Sequence, residues 1–523
     1  MLRRMGVLVA LAIGMLALSA CDSLRAHYVK HPSNALAPAT NTASARYIRS
    51  ELDQHHDKSG FRLLVRSTNA LMSRIALADH AEHSLDLQYY IFDNDATGRL
   101  VAQRLLLAAD RGVRVRLLLD DINVNDGIDM LDALNAHPNI EVRLFNPFHT
   151  RHPSWLSKVT QFLLHPRRLN RRMHNKSFIA DNNVAIVGGR NIGNAYFDAG
   201  HGTNFRDLDL IAIGPVVKEA SHAFDEYWNS EYAYPVTAFP SKYASHYDLA
   251  KLRVDLTREA RTFAQSDYAQ STLEELPYGP SADRAGAWFW GPAMLVADQP
   301  EKIETSRDHP RLRIGPQIKT MTDRAQKEIL FISPYFIPGD TYTRYLTGIA
   351  SRGVSVKVLT NSLASTDEPA VHSAYSRYRR ALLEGGVQLY ELRPSTKMKR
   401  KSAPGTSSGV SLHAKAIVVD RQLVFIGSMN MDERSKLLNT EMGIIIDSPA
   451  LAEAVTQFFD NATRPANAYH VVLIKKGSPH AGRMQWRASD NGKPVVYGHD
   501  PKTSVALRME VKLLKLLPIE GLL

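Results

Sequence analysis

The sequence predicts an α/β fold built as two tandem, related domains, and three observations carry that expectation. The chain has 523 residues, well past the roughly 100 to 200 that usually make one domain. Apolar, β-type runs alternate with segments of helical period, the pattern of βαβ units. The same succession then returns about 240 residues later, which an internal duplication explains. Hydrophobic residues make up 44% and charged residues 22%, which excludes a disordered chain. The formal charge of +11 favours an anionic partner, and nucleic acid and acidic phospholipid satisfy it equally.

The N-terminus begins Met1, Leu2, Arg3, Arg4 and continues as an apolar run from Met5 to Ala20, the charged start and short hydrophobic core of an export signal. The run ends Leu18-Ser19-Ala20-Cys21, and Cys21 is the only cysteine. A disulfide framework and a cysteine-rich metal site are thereby excluded. The ending resembles a bacterial lipobox, so residues 1–21 are expected to be a lipoprotein-type signal. Cys21 would then anchor the protein by its acyl chains to a bacterial cell membrane, facing the periplasm. Residues 22–58, rich in Ser, Ala, Asn, Thr and Pro between His31 and Ala45, are expected to form a tether.

A first domain is expected over 59–240. Leu71, Ile75, Ala78 and Ala81 mark one helical face, and the strand run Leu85 to Ile91 follows. A helix near Leu100 to Ala109, a strand over Val113 to Leu119, a helix near Ile128 to Ala136 and a strand over Ile140 to Leu144 complete the alternation. Residues 241–290 lie between the halves, where Trp288-Phe289-Trp290 either touches lipid or forms the strand that begins the second half. The second domain is expected over 291–500. Its helical stretch Ile318 to Lys327 leads into the run Ile329 to Tyr335, and Arg352-Gly353-Val354 repeats Arg111-Gly112-Val113. The last segment, 501–523, is amphipathic: Met509, Leu513, Leu516 and Leu517 share a face, with Arg508, Lys512 and Lys515 nearby. It either packs on the domain or lies on a bilayer.

One constellation carries chemistry. The first half contains His174, Lys176 and Asp181, then Gly188-Gly189-Arg190-Asn191; the second contains His413, Lys415 and Asp420, then Gly427-Ser428-Met429-Asn430. The spacings agree residue for residue, so two matched copies are strong where one would be weak. On an extended strand alternate side chains share a face, so each histidine and its lysine project together. Phosphodiester cleavage requires a nucleophile at phosphorus, an acid for the leaving oxygen and donors around the remaining oxygens. Two facing halves would supply all three with no metal and no cofactor, Asn191, Asn430 and Ser428 adding neutral donors to the substrate site. Asp181 and Asp420 lie past the histidine and lysine, and either take part in catalysis or fix the turn there.

These paired H-x-K-x4-D motifs resemble those of the phospholipase D superfamily. The resemblance implies two α/β/α sandwich domains about a pseudo-two-fold axis, with the active site at their interface. It implies that one histidine becomes a phosphohistidine while the other protonates the leaving alcohol, and that His174 is the nucleophile. It also implies a downstream acid orienting each histidine. Asp209 and Glu441, each opening an apolar strand, are the positional candidates, with Asp207 competing with Asp209.

Ser59-Gly60-Phe61, Leu87-Gln88-Tyr89-Tyr90, Leu144-Phe145-Asn146-Pro147 and Asn170-Arg171-Arg172-Met173 are similar to bacterial cardiolipin synthases of the C type. That similarity implies transfer of a phosphatidyl group to phosphatidylglycerol, from phosphatidylglycerol or phosphatidylethanolamine, at a membrane and without nucleic acid. Hydrolysis to phosphatidic acid is the neighbouring expectation. A metal-independent nuclease and a non-enzymatic anchored binding protein are the more distant ones. The basic loop between Asn146 and Arg172, which holds His149, Arg151, His152, Lys158, His165, Arg167, Arg168 and Arg171, either forms the mouth of an anionic-headgroup site or is a solvated surface loop.

Overall fold

The computed structural model describes residues 28–124, 127–148, 166–200, 202–239, 248–270, 288–305, 309–394, 409–474, 477, 481–517 and 520. The apolar run Met5 to Ala20, Cys21, most of the basic loop and the run Lys397 to Lys401 lie outside the described residues. Among the described residues no helix is long and apolar enough to cross a membrane.

Two sheets carry the fold. The first is made of β1 (Ser59–Leu64), β2 (Ser84–Tyr89), β3 (Arg114–Asp120), β4 (Ile140–Phe145), β5 (Ser177–Ala180) and β6 (Val184–Gly188). After the short β7 (Asn204–Arg206), it continues with β8 (Asp209–Ile213), β9 (Ala233–Pro235) and β10 (Phe289–Gly291). The second takes β11 (Ala293–Ala297), β12 (Glu328–Ile332), β13 (Ser355–Asn361) and β14 (Gln388–Leu392). Past β15 (Val410–Leu412) it adds β16 (Ala416–Val419), β17 (Leu423–Gly427), β18 (Met442–Asp447), β19 (Ala468–Leu473), β20 (Met484–Asp490) and β21 (Lys493–Tyr497).

The spatial order of the first sheet is β10–β1–β8–β6–β5–β2–β3–β4–β9, and that of the second is β11–β18–β17–β16–β12–β13–β14–β19–β20–β21. Superposing β2 on β12 brings β3, β4, β5, β6, β8 and β9 onto β13, β14, β16, β17, β18 and β19, so the duplication extends to strand order. In each sheet three parallel strands adjoin an antiparallel meander. β2, β5 and β6 are buried on both faces, which is why they read as apolar runs.

The repeated Arg-Gly-Val has a local cause. The helices Ala96–Asp110 and Gly339–Ser351 end at Arg111 and Arg352, and the next residues, Gly112 and Gly353, have φ of 96° and 90°. Only glycine adopts that conformation without a Cβ penalty, so it ends the helix and turns the chain into the next strand.

The halves share one apolar core. Phe61, Leu210, Phe224 and Trp228 of the first pack in the same cluster as Leu330, Val424, Ile444 and Phe459 of the second. β7 and β15 pair in parallel across the junction. The Trp288 region does form a strand, but β10 adds to the edge of the first sheet, against β1, rather than starting the second.

The N-terminal segment differs from the expected free tether. Arg143 donates to the His31 carbonyl at 2.6 Å, Arg116 to the Ser33 carbonyl at 2.7 Å, and Asn182 and Asn183 to the Leu36 and Ala39 carbonyls at 2.9 Å each. The Trp228 indole donates to Ser33 Oγ at 2.9 Å. The N–H groups of Ser33 and Ala35 donate in turn to Asn229 Oδ1 at 3.0 Å and Asp225 Oδ2 at 2.7 Å, so the segment is a strap held largely through its backbone, which leaves no hydrophobic period in its sequence. Thr42 then caps the helix Ala43–Asp53.

Candidate active site

Each histidine is hung from the opposite half by backbone hydrogen bonds. The His174 N–H donates to the Thr440 carbonyl at 2.9 Å, and the Thr440 N–H to the Arg172 carbonyl at 2.9 Å. Across the junction the N–H groups of His413 and Ala414 donate to the Arg206 carbonyl at 2.7 and 3.0 Å. The residue after each of these partners is acidic, and its carboxylate meets the ring. His174 Nδ1 lies 2.8 Å from Glu441 Oε2, and His413 Nδ1 lies 2.5 Å from Asp207 Oδ2. The orienting pairs are therefore crossed, each histidine using a carboxylate of the other half. With Nδ1 engaged, Nε2 is the nitrogen left for substrate.

The histidine and lysine of each motif lie just before β5 and β16 rather than within them, and the aspartate just after. Lys176 Nζ donates to the His174 carbonyl at 2.6 Å, and Lys415 Nζ approaches His413 Nδ1 at 2.9 Å. Both lysines are buried, which lowers them to about 7 for Lys176 and about 8 for Lys415. Burial first, then Lys176, Lys415 and Arg434, hold His174 well below the ordinary imidazole range. Burial and Lys415 hold His413 down to about 4, with Asp207 pulling the other way.

The two carboxylates differ. Burial pushes Glu441 up to about 7 against the pull of Lys176 and the Ser428 hydroxyl. Asp207 is equally buried, yet His413, Lys415 and Arg190 outweigh burial and hold it well below the usual carboxylate range. An ionised partner favours a proton on its histidine, so of the two rings His413 holds a proton more readily.

Asp209, the positional candidate from the sequence, does not face a histidine. Its carboxylate binds Arg74 Nη2 at 3.0 Å, Arg190 Nη1 at 3.3 Å and the Arg190 N–H at 3.1 Å, all buried. Arg190 in turn donates to the Asp207 carbonyl at 2.7 Å, so Asp209 supports the backbone that carries the orienting acid. The register explains the difference. Gly188 pairs with Asp209 and Gly427 with Gly443, so the counterpart of Glu441, two residues earlier, is Asp207.

Ser428 is also placed differently. Its hydroxyl donates to the Glu441 carboxylate and is fully buried, so it supports the acid and does not reach substrate. A side chain at Gly189 would put its Cβ 2.1 Å from Asp207 Oδ1, which accounts for glycine in one copy and serine in the other.

Asp181 and Asp420 are turn residues. Each sits at positive φ, 53° and 52°, and each carboxylate gathers the N–H groups that open the parallel strand of its own sheet. Asp181 accepts from Glu82, His83 and Ser84, and Asp420 from Gln326, Lys327 and Glu328. Neither lines the cavity that holds the two histidines. Asp181→Ala leaves buried donors unmatched, at a cost on the order of 3 kcal/mol. A chemical-unfolding midpoint will show that loss, while kcat per folded molecule stays within about twofold of wild type; a collapse of kcat with unchanged stability would return Asp181 to the chemistry.

His174, His413, Asn191 and Asn430 line a cavity of about 700 Å³ between the halves, with Tyr90, Tyr196, Phe205 and Tyr335 as its aromatic wall. Tyr90 meets His174 edge-on at 5.0 Å, and Tyr196 meets His413 at 5.3 Å. Arg434, Asp432 and Asn439 also line it. Sequence reasoning missed them, although Asp432-Glu433-Arg434 follows Asn430 almost at once. Arg434 spans the halves by donating to Asn170 Oδ1 at 2.7 Å. Of the basic loop, Arg168 and Arg171 are spent on the Pro147 and Ile303 carbonyls, at 2.8 and 2.7 Å; they pin the chain rather than await a headgroup.

Comparison with known proteins agrees with this geometry. The family model described as cardiolipin synthase, PLD-like domain, matches residues 75–228 and 318–463. The chain is 40% identical over 475 residues to cardiolipin synthase C of Escherichia coli K12, covering 90% of this chain and 97% of that one. It is 33% identical over 499 residues to an uncharacterized protein of Helicobacter pylori J99, covering 94% of each. In fold it is similar to the crystal structure of phosphatidylserine synthase from Haemophilus influenzae Rd KW20, with a TM-score of 0.55 at 13% identity over 91% of this chain and 99% of that one.

Proposed function

Because the chain belongs to the cardiolipin synthase family of phospholipase D-like proteins, we propose that it is a phosphatidyltransferase that makes cardiolipin. The observation that carries the mechanism is the crossed pair of histidines, with unequal carboxylates, on one cavity. His174, held neutral, attacks the phosphorus of a donor phospholipid through Nε2. The bond to the headgroup alcohol breaks, and His413 gives that oxygen its proton, supported by ionised Asp207. His413, now neutral, takes a proton from a hydroxyl of phosphatidylglycerol. That oxygen attacks phosphorus, the P–N bond to His174 breaks, and cardiolipin leaves. Asn191 and Asn430 line the cavity beside the histidines and can donate to the non-bridging oxygens, while Lys176 and Lys415, buried behind the rings, add positive charge from just outside the lining. The negative charge of the phosphodiester raises the proton affinity of both rings on binding, which readies His413 as the acid.

The donor is phosphatidylglycerol or phosphatidylethanolamine. Purified full chain given labelled phosphatidylglycerol, alone or with phosphatidylethanolamine and with EDTA present, is expected to yield cardiolipin by lipid mass spectrometry. Phosphatidic acid as the sole product would make the enzyme a hydrolase, and activity lost to EDTA and restored by metal would defeat the metal-free mechanism. The sequence from Met1 to Cys21 supports a lipid anchor at Cys21, with the catalytic domains in the periplasm. Labelled palmitate should enter the wild type and not Cys21→Ser.

A further inference from the structure

The C-terminal helix Val505–Leu514 is inverted. Its single buried residue is Val511, and the opposite stripe of Val505, Met509, Leu513 and Leu516 is exposed at 68, 52, 63 and 79%. Leu517 adds 48%. At 100° per residue Val505, Met509 and Leu513 form one face, with Arg508 and Lys512 along the flank between that face and the body, and Lys515, Leu516 and Leu517 follow in the turn past the helix end. Scattered exposed apolar residues are ordinary, but a contiguous stripe marks a contact surface.

The helix is held firmly with that face outward. Ser373 Oγ donates to the Val511 carbonyl at 2.9 Å, and Arg379 pairs with Asp500 at 2.8 Å. Beyond the helix, Glu520 accepts from Arg377 at 2.8 Å and from Tyr378 at 2.7 Å. Arg377 also donates to the Leu517 carbonyl at 3.1 Å, so the chain is held on both sides of Leu516. The supporting helix Pro369–Glu384 begins at the catalytic cavity, where Glu368 and Val371 line the wall, two residues before the Ser373 contact.

We propose that this stripe docks in the interface of an anionic phospholipid bilayer and sets the mouth of the cavity against the lipid surface. The apolar side chains enter the headgroup boundary while Lys512 and its neighbours meet anionic headgroups. The choice of a lipid surface over a protein rests on the flanking cations, on the packing of this helix against the one that starts at the cavity wall, and on the phospholipid reading of that cavity.

The test uses the full chain reconstituted in phosphatidylglycerol–phosphatidylethanolamine vesicles, with a nitroxide side chain placed at 509, 513 or 254 as an unnatural amino acid so that Cys21 stays intact. Val254 is 64% exposed on the helix Leu249–Ala264 and serves as the water reference. Labels at 509 and 513 are expected to be reached by oxygen and shielded from a water-soluble nickel chelate, with the label at 254 showing the reverse. Nickel access at 513 equal to that at 254 overturns the proposal. So does dipolar broadening at 513 that disappears on dilution with unlabelled chain, which would mark a contact between copies.

A second arm uses the double variant Met509→Glu, Leu513→Glu. It should lose about tenfold or more in turnover of long-chain phosphatidylglycerol vesicles, the effect of roughly 1.4 kcal/mol, and keep its turnover of monomeric short-chain phosphatidylglycerol. An equal loss on both substrates contradicts docking. A wild type inactive on both lipids would refute the enzymatic reading alone, because the label depths report the face independently.

Discussion

His174→Ala is expected to lose all turnover of lipid and of p-nitrophenyl phosphodiesters, whereas His413→Ala keeps measurable turnover of the activated ester. The asymmetry follows from the two environments. His174 is held away from protonation by burial and by Lys176, Lys415 and Arg434, as a nucleophile must be. His413 stands against an ionised Asp207, as a proton donor should. General acid catalysis contributes about 10²- to 10⁴-fold, and a leaving group that departs without a proton recovers much of it. Single-turnover assays on both substrates decide the matter; rescue of His174→Ala by the activated ester, with none for His413→Ala, exchanges the roles.

The second large effect separates two carboxylates only two residues apart. Asp209→Asn leaves the buried guanidinium groups of Arg74 and Arg190 without their counter-charge, and breaking a buried pair in this way costs about 3–5 kcal/mol. The variant should unfold at markedly lower denaturant, and less soluble protein should be recovered. Asp207→Asn preserves shape but removes the charge that favours a proton on His413. Its unfolding midpoint should move less than that of Asp209→Asn, while kcat on natural lipid falls by about 10²-fold or more. A stable Asp209→Asn with the larger catalytic defect would reverse the assignment made from the hydrogen bonds.

Much of the architecture was legible because it is local. Strands buried on both faces appear as apolar runs, the Gly112 and Gly353 turns appear as a repeated tripeptide, and the two motifs keep their spacing because the β5–β6 and β16–β17 hairpins are the same length. Glu441 was found from equally local information, since it directly precedes the apolar strand β18. In the first half the return from β6 to β8 is longer and contains β7. Counting from the motif therefore could not choose between Asp207 and Asp209; only the register Gly188 to Asp209 does so. The crossing of the pairs was hidden more deeply, because it depends on how β7 and β15 join the halves. The strap over 28–41 was illegible for a different reason: backbone carbonyl and N–H groups hold it, and nearly every residue type carries both.

The crossed pairs also bear on how this chain can vary over generations. A substitution that shifts the return strand of one half disables the histidine of the other, so neither copy could drift freely after the duplication. Each half is the guardian of chemistry written in its twin. Separated at the connector, the two pieces would each carry a complete motif and an unsteadied ring, and catalysis would belong to neither until they met again.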